Sequence, residues 1–461
     1  MPRRKLVFAA TLLCIAAALL AMAASAQART ILKGTRDGSL CAKNAKDTSA
    51  KVNFLATKLH AQLLRFDVHW KDLEPQRNKY DQVYLDQLAA TIHAAATDGM
   101  KVTVTIYGTP AWATDKTLWG YVPSGWKPGV SHSFYPPAPD RLDDFQAFAT
   151  KLASTFAGDV TGYECRNEPN LWGSLYPQRT PSDPAFAVRR YAAMLTAFSK
   201  GIRAGDPHAL VIAGATGPIG QNTILSTSPQ RFARLLKTMV PSSVFDAYSH
   251  HPYTIGGTHN TAPEAPPNDP VHAVSLGNIS TLLKIFPDKP FYLTEYGYYT
   301  RYCVYFGLYV NQTTQASYLT RAYKYAARFP QIKALVWFPY IDILTKDPTH
   351  GTYSGLVIDS GAYKRSWFAF SGGNKLTLAA SKSRTASVRL SGLLTSASLS
   401  GLHDKALVLY RKTAGHPWRV ARNLTTGANG SYHATVSVSR TTFFRVAWLG
   451  VVSSRTLTVK R

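Results

Sequence analysis

The 461-residue sequence predicts a (β/α)8 TIM barrel followed by a small all-β sandwich domain. Three observations lead there. Between about residues 30 and 370, short β-rich runs alternate with longer amphipathic stretches, which implies parallel strands joined by helical crossovers. The strands count to eight, which points to a closed barrel rather than an open sheet. After Ser371-Gly372-Gly373-Asn374, a linker signal, the chain turns rich in Ser, Thr, Val, Leu and Arg and loses its helical period.

The elements follow in order. Ile31–Gly34 reads as the first strand, Thr48–His60 as a helix, and Leu63–Asp67 as the second strand. Tyr84–Asp98 is helical by its apolar spacing, and Lys101–Tyr107 alternates as a third strand. Leu142–Phe156 (helix), Val160–Cys165 (strand four), Ala185–Ala204 (helix) and Ala209–Gly214 (strand five) come next. Arg231–Met239 (helix), Phe245–Ser249 (strand six), Val271–Ile285 (helix) and Phe291–Thr294 (strand seven) precede the helix Thr314–Arg328 and the eighth strand, Ala334–Phe338. In the tail, Lys405–Arg411 and Phe443–Leu449 alternate as sandwich strands.

The N-terminus predicts export. Arg3, Arg4 and Lys5 precede an apolar run, Leu6–Met22, and Ala26-Gln27-Ala28 fits a small-x-small cleavage site, so residues 1–28 read as a signal peptide. A permanent membrane anchor is the alternative; the run is short for one, and no later run is long enough to span a bilayer. The expected organisation is therefore residues 1–28 as signal peptide, 29–370 as barrel and 371–461 as β-sandwich, in a secreted protein that is either free or associated with a cell wall.

Removing the three basic residues of the leader from a net charge of +26 leaves +23. Between Ser371 and Arg461 there are 14 Lys and Arg against one acid, Asp404. Such an excess either serves solubility or favours an anionic cell-wall or exopolysaccharide polymer as partner. Nucleic acid is not expected, since no basic stripe with interleaved aromatics stands out in the sequence. The tail reads as a spacer or packing module in preference to a carbohydrate-binding one, with Trp418 and Trp448 as its candidate contact aromatics. Of the cysteines outside the leader, Cys41 and Cys303 fall in predicted loops and are expected to pair. Cys165 falls in an apolar strand and reads as a buried packing thiol. No metal-ligand Cys/His spacing is present, and neither metal nor other cofactor is expected.

A barrel of this kind carries its chemistry at the C-terminal ends of its strands. Strand four ends in Arg166-Asn167-Glu168-Pro169-Asn170 and strand seven in Thr294-Glu295-Tyr296-Gly297, each setting one glutamate at the mouth. Two carboxylates facing one bond are what glycoside hydrolysis requires: one gives a proton to the leaving oxygen, and the other meets the developing positive charge from the opposite face.

These paired motifs resemble those of clan A glycoside hydrolases, with family 5 or family 39 nearest in character. The resemblance spans about residues 30–370 and is specific to the clan, not to a substrate. It implies retention of anomeric configuration, with Glu168 as acid/base and Glu295 as nucleophile. It also implies an arginine beside the nucleophile, Arg65, which is either that or only an ion pair for Asp67; a sugar 2-hydroxyl partner, Asn167; and a His-x-Tyr pair, His251 and Tyr253. His251 is preferred to His250 on its spacing. Trp337 matches the aromatic floor beneath the sugar. Trp112 and Trp172 either line the cleft or pack their loops, and the same holds for His69 and Trp70. One of Tyr296, Tyr298 and Tyr299 is a candidate for stacking on a sugar face. Arg166 departs from the pattern, standing where an apolar or aromatic residue is common.

The competing barrel chemistries lack their signatures: no His-x-His pair lies on the first strand, and no chitinase-type acidic run is present. A catalytically inactive glycan-binding barrel is the remaining alternative, but a pure binder has no need of the carboxylate pair. The expected substrate is a polysaccharide or oligosaccharide with β-glycosidic bonds: β-glucan, mannan, xylan or a bacterial exopolysaccharide. The insertion Thr114–Pro139, with Trp119, Tyr121, Trp126 and Tyr135, is expected to shape the cleft.

Overall fold

A computed structural model describes residues 30–120, 131–255, 261–304, 309–384, 387–399 and 402–460. The expected signal peptide, Tyr121 and Trp126 lie outside the described residues. Eight parallel strands close into a barrel in sequence order: β1 (Leu32–Thr35), β2 (Leu63–His69), β3 (Lys101–Tyr107), β4 (Gly162–Cys165), β5 (Leu210–Thr216), β6 (Ala247–His250), β7 (Phe291–Tyr296) and β8 (Ile332–Trp337). Around them run α1 (Thr48–Thr57), α2 (Gln82–Thr97), α3 (Leu142–Thr155), α4 (Phe186–Gly205), α5 (Pro229–Met239), α6 (Gln312–Ala326) and α7 (Arg365–Ser371). Among the described residues no helix is long and apolar enough to cross a membrane.

One expected helix does not form. Val271–Ile285 contains only a 3-10 turn, Leu276–Asn278, and one helical turn, Ser280–Leu283. Ser275 and Asn278 cap the first turn reciprocally, and at Gly277 the backbone of Ala265 leaves no room for a side chain. The segment is thus broken by its own caps and by a close backbone approach.

Strand alternation sorts the barrel residues onto two faces. Leu63, Ile212, Ala247, Tyr292, Ala334 and Val336 form a small apolar cluster of their own. They lie on the inward parity and plug the lower barrel. One layer higher on the same parity come Arg65, Thr105, Glu164, Ser249 and Thr294, and at the mouth His251. The outward residues join the large core between sheet and helices.

Beyond α7 the chain forms two antiparallel sheets. One contains β9 (Lys375–Leu376), β10 (Ala379–Arg384), β11 (Ser387–Thr395) and β14 (Ser431–Ser437). The other contains β12 (Ala406–Thr413), β13 (Arg419–Thr425), β15 (Thr442–Trp448), β16 (Val452–Ser453) and β17 (Leu457–Val459). This module leans on the barrel through Trp448, whose ring lies 4.8 Å from that of Phe368 on α7, and through a hydrogen bond of 3.0 Å from Arg365 to the Leu449 carbonyl. Trp448 is therefore a packing residue, buried against the barrel.

The expected Cys41–Cys303 disulfide is not present. Both thiols are free and buried. Cys41 belongs to the main core near Asp67, whereas Cys303 sits in a separate cluster with Tyr299 and Tyr353. Loop placement in the sequence says nothing of which loops adjoin. Cys165 is buried as expected.

Candidate active site

The site is built around one guanidinium. Arg65, on the inward face of β2, is fully buried; its Nε donates to Thr105 Oγ1 at 2.8 Å and its Nη2 to Asn167 Oδ1 at 2.6 Å. Nη1 donates to Glu295 Oε1. Nη2 also lies 3.4 Å from Asp67 and 3.5 Å from Glu164. Burial alone would lower the pKa of Arg65, but Asp67, Glu295 and Glu164 outweigh it and hold the charge firmly. Asp67 in turn is fixed by Arg36 at 2.7 Å. Burial would raise its carboxyl, and the two arginines pull it below the usual range.

Glu295 reaches the mouth through a β-bulge. The β7–β8 register takes three residues from Leu293 to Tyr296 against two from Leu335 to Trp337. The extra residue lets Thr294 point into the barrel, donating to Glu164 Oε1 at 2.8 Å, while its neighbour Glu295 turns toward Arg65. Tyr253 completes the cradle, its hydroxyl donating to Glu295 Oε2 at 3.1 Å. Burial and the Glu295 charge both push the Tyr253 pKa well up, so it stays a donor.

Glu168 stands in a different setting. It is more open, with 23% of its side chain exposed against 11% for Glu295, and its Oε1 meets His251 Nδ1 at 2.9 Å. That nitrogen is also 3.7 Å from Glu295 Oε2. One oxygen of each glutamate and one nitrogen of His251 all lie within 4.8 Å of one another. Burial would lower the His251 pKa, but the charge of Glu295 and the bond to Glu168 raise it above that of an ordinary imidazole. His250 faces the other way on β6, bonded to Thr216 and the Val274 carbonyl, and burial drives its pKa down to about 3. Strand parity thus selects His251 over His250. A trio of this size has the span of a cation site, but Glu295 already serves Arg65 and Tyr253, and a histidine disposed to hold its proton is a poor ligand.

The loop that carries Glu168 is strained and clamped. Arg166 and Glu168 both adopt positive φ, 65° and 42°. Such conformations cost about 1–3 kcal/mol each and persist only where the surroundings enforce them. Here the Glu168 N–H donates to the Ala215 carbonyl at 2.8 Å and the Arg166 N–H to the Ile106 carbonyl at 2.8 Å. The Arg166 guanidinium, fully buried, donates to the carbonyls of Ser174, Ser133 and Phe134 and to Thr109 Oγ1. Desolvation lowers its pKa to about 10. The departure from the family pattern is therefore a tie between the loops after β3 and β4.

Trp337 is not at the mouth. It is completely buried on the outward parity of β8, edge-on to Tyr296 at 6.0 Å, with its indole N–H donating to the Ser354 carbonyl at 2.7 Å. The inward residue two beyond Val336 is Phe338, half-buried and 5.5 Å from the Arg36 guanidinium. Trp112 packs edge-on against Trp70 and donates to the Glu74 carbonyl at 3.0 Å, which makes it a loop-packing residue. Trp172 is 38% exposed beside the Glu168 loop, with its ring 5.9 Å from Phe134. His69 lies against Tyr107, with ring centroids 4.1 Å apart. Tyr296, Tyr298 and Tyr299 are all buried. Sequence reasoning missed Glu164, Asp67 as a partner of Arg36, and Phe338. The signal for Glu164 was available: an acid flanked by Tyr163 and Cys165 inside a short strand must have a buried partner.

A closed barrel with one glutamate just past β4, another at the end of β7 and an arginine bonded to the second and to the neighbour of the first defines a glycoside hydrolase. The family model described as Cellulase (glycosyl hydrolase family 5) matches residues 25–337, well over half of the chain, and the chain belongs to glycosyl hydrolase family 5. Among solved structures, a family 39 glycoside hydrolase from Bacteroides cellulosilyticus WH2 matches with a TM-score of 0.52 and 18% identity, over 89% of this chain and 81% of that one. A GH5_18 protein from Bifidobacterium longum subsp. infantis matches with a TM-score of 0.54 and 16% identity, over 76% and 82% of the two chains. A GH5_18 variant from Streptomyces cattleya, solved with Manβ1-4GlcNAc, gives 0.52 and 15%, over 74% and 79%. At these identities the likeness is one of fold. No curated protein sequence matches the chain.

Proposed function

We infer that this glycoside hydrolase cleaves β-glycosidic bonds of a polysaccharide or oligosaccharide with retention, through a covalent glycosyl-enzyme. One observation carries the reading: the two carboxylates approach within 4.8 Å. Retaining enzymes hold their carboxyl groups about 5–5.5 Å apart, whereas inverting ones leave about 6.5–9.5 Å for a water.

The roles follow from the settings. Glu295, gripped by Arg65 and Tyr253, is oriented and charged to attack the anomeric carbon. Glu168, more open and bonded to His251, gives its proton to the glycosidic oxygen as that bond breaks. It then takes a proton from the water that hydrolyses the intermediate. Asn167, held by Arg65 through its Oδ1, offers its amide N–H to the sugar 2-hydroxyl. His251 positions Glu168. Trp172, exposed just after the Glu168 loop, and Phe338, on the inward parity just past β8, are the aromatic sugar contacts of this reading. Export through removal of residues 1–28 belongs to the same reading, because a polymer substrate lies outside the cell.

A panel of β-glycosides tests this, beginning with β-glucosides, xylosides and, because one structural neighbour holds Manβ1-4GlcNAc, mannosides. Proton NMR of the first product released is expected to show the β-anomer. The α-anomer appearing first would overturn the retaining assignment.

A further inference from the structure

We propose that the outer face of the β12–β13–β15 sheet is a binding site for an acidic polysaccharide, separate from the barrel cleft. The cross-strand register sets Tyr410 opposite Arg445 and Lys412 opposite Phe443 on one face, with Val420 of β13 beside Tyr410. Trp418, at the β12–β13 turn, lies between the two cations: Lys412 Nζ is 5.2 Å and Arg445 Cζ 5.0 Å from its ring centroid. Lys412 also lies 5.6 Å from the Phe443 ring, and Arg445 5.7 Å from that of Tyr410. Aromatic faces and cations therefore alternate across an antiparallel sheet. Val420, opposite Tyr410 on β13, is 59% exposed in the same row, whereas Arg419 and Arg422 pair with Arg411 and Leu409 on the other face.

Among the described residues, nothing in the module neutralises this face. The one acid between Ser371 and Arg461 is Asp404, at the far end of β12, where it meets His403. Among the described residues, Lys412 and Arg445 make no ion pair with a carboxylate, and the buried Nε of Arg445 has no hydrogen-bond acceptor. A desolvated guanidinium nitrogen without an acceptor costs free energy that an incoming oxyanion would recover. The face also stands away from the barrel: the module docks through Trp448 and Leu449, and Lys412 lies seven residues from Lys405, whose Nζ is 5.7 Å from the Phe368 ring of α7, ~20 Å of extended chain.

The occupant is chosen by chemistry. A uronic-acid polymer presents the apolar face of each ring, which suits Trp418, Tyr410 and Phe443, and a carboxylate on each ring edge, which suits Lys412 and Arg445. Preference for a polysaccharide over another polyanion rests on the glycoside hydrolase reading; the charged aromatic face itself does not.

The test is binding of the full chain to soluble polygalacturonate, against an uncharged glucan of similar length, at low and high salt. Lys412→Gln/Arg445→Gln is expected to weaken binding about tenfold or more, and Trp418→Ala by several-fold, as loss of one or two charge-assisted or cation–π contacts predicts. Lys375→Gln/Arg389→Gln removes the same charge from the other sheet and is expected to bind as wild type. All variants are expected to hydrolyse a small aryl glycoside at the wild-type rate, which also shows that each has folded. Equal losses in both double variants would reduce the effect to net charge and overturn the site. So would tighter binding of single-stranded DNA or of phosphatidylglycerol vesicles than of polygalacturonate. The Glu295→Gln enzyme separates the two proposals: if it binds polygalacturonate but no aryl glycoside is hydrolysed by any form of the chain, the hydrolase reading fails and the site stands.

Discussion

Two arginines lie fully buried on either side of Glu168, and they are buried for opposite reasons. Arg65 is surrounded by carboxylates, with Glu295, Glu164 and Asp67 all within ion-pair reach. Among the described residues, Arg166 meets only backbone carbonyls and one threonine hydroxyl. The first arginine organises charge and the second organises backbone. Their pKa shifts agree, with Arg65 raised by its anions and Arg166 lowered to about 10 by desolvation.

The comparison breaks most sharply at Arg65. Replacing it with Met leaves Glu295 and Glu164 without their cation and Asp67 with Arg36 alone, a loss of about 3–5 kcal/mol of stability for a broken buried pair. The kcat/KM of the same variant is expected to fall about 10²–10³-fold, as removal of one electrostatic anchor does. Thermal unfolding and steady-state rates check both. Arg166→Met removes no ion pair. It is expected to cost less stability, about 1–3 kcal/mol for the carbonyls left unsatisfied, yet still to lower kcat up to about 10²-fold by releasing the strained Glu168 loop. If Arg166→Met moved the pH–rate profile as strongly as Arg65→Met, the division between charge and backbone would be wrong.

Glu164 sharpens the same contrast. Its carboxylate is held by Thr105 at 2.7 Å and Thr294 at 2.8 Å beneath Arg65. Glu164→Gln keeps the shape and removes a charge that competes with Glu295 for the guanidinium. Its kcat/KM is expected to fall less than that of Arg65→Met, by about tenfold at most. An unchanged kcat/KM would make Glu164 a purely structural group.

His250 and His251 are again neighbours with opposite settings. His251 binds its proton more tightly in the fold than in the unfolded chain. Its contribution to stability is full below the ordinary value of 6.5 and is lost as pH rises through the raised value. His250 titrates near 3 in the fold, so the unfolded chain takes up a proton that the fold refuses, and stability declines as pH falls from 6.5 toward 3. Unfolding midpoints across this range are expected to flatten on the alkaline side in His251→Gln and on the acid side in His250→Asn. For either histidine, a tenfold difference in proton affinity between the folded and unfolded chain is worth about 1.4 kcal/mol.

Much of this was legible in the sequence, for identifiable reasons. The barrel strands alternate clearly with helices, and the glutamates of Asn167-Glu168-Pro169 and Thr294-Glu295 fall just past strands four and seven. Arg65, Asn167, His251 and Tyr253 do converge on them. What depends on register was not legible. Trp337 was misplaced because one residue of parity decides between mouth and outer core, and Phe338 takes the mouth position. The bulge that frees Glu295 has no sequence mark. The Cys41–Cys303 pairing failed because loops distant in sequence carry no information on which of them adjoin, and Trp112 could be assigned to packing only once Trp70 was seen beneath it. Trp418 lacked significance until the strands brought Lys412 and Arg445 over its ring.

The central claim is that Glu295 becomes covalently glycosylated. Incubation with a deoxyfluoro glycoside of an accepted sugar, followed by proteolysis and mass spectrometry, tests it directly. The account predicts one added glycosyl group per chain on the peptide containing Thr294-Glu295-Tyr296, absent from Glu295→Gln. A label on a different carboxylate, or turnover of that sugar with inversion and no label at all, would contradict it.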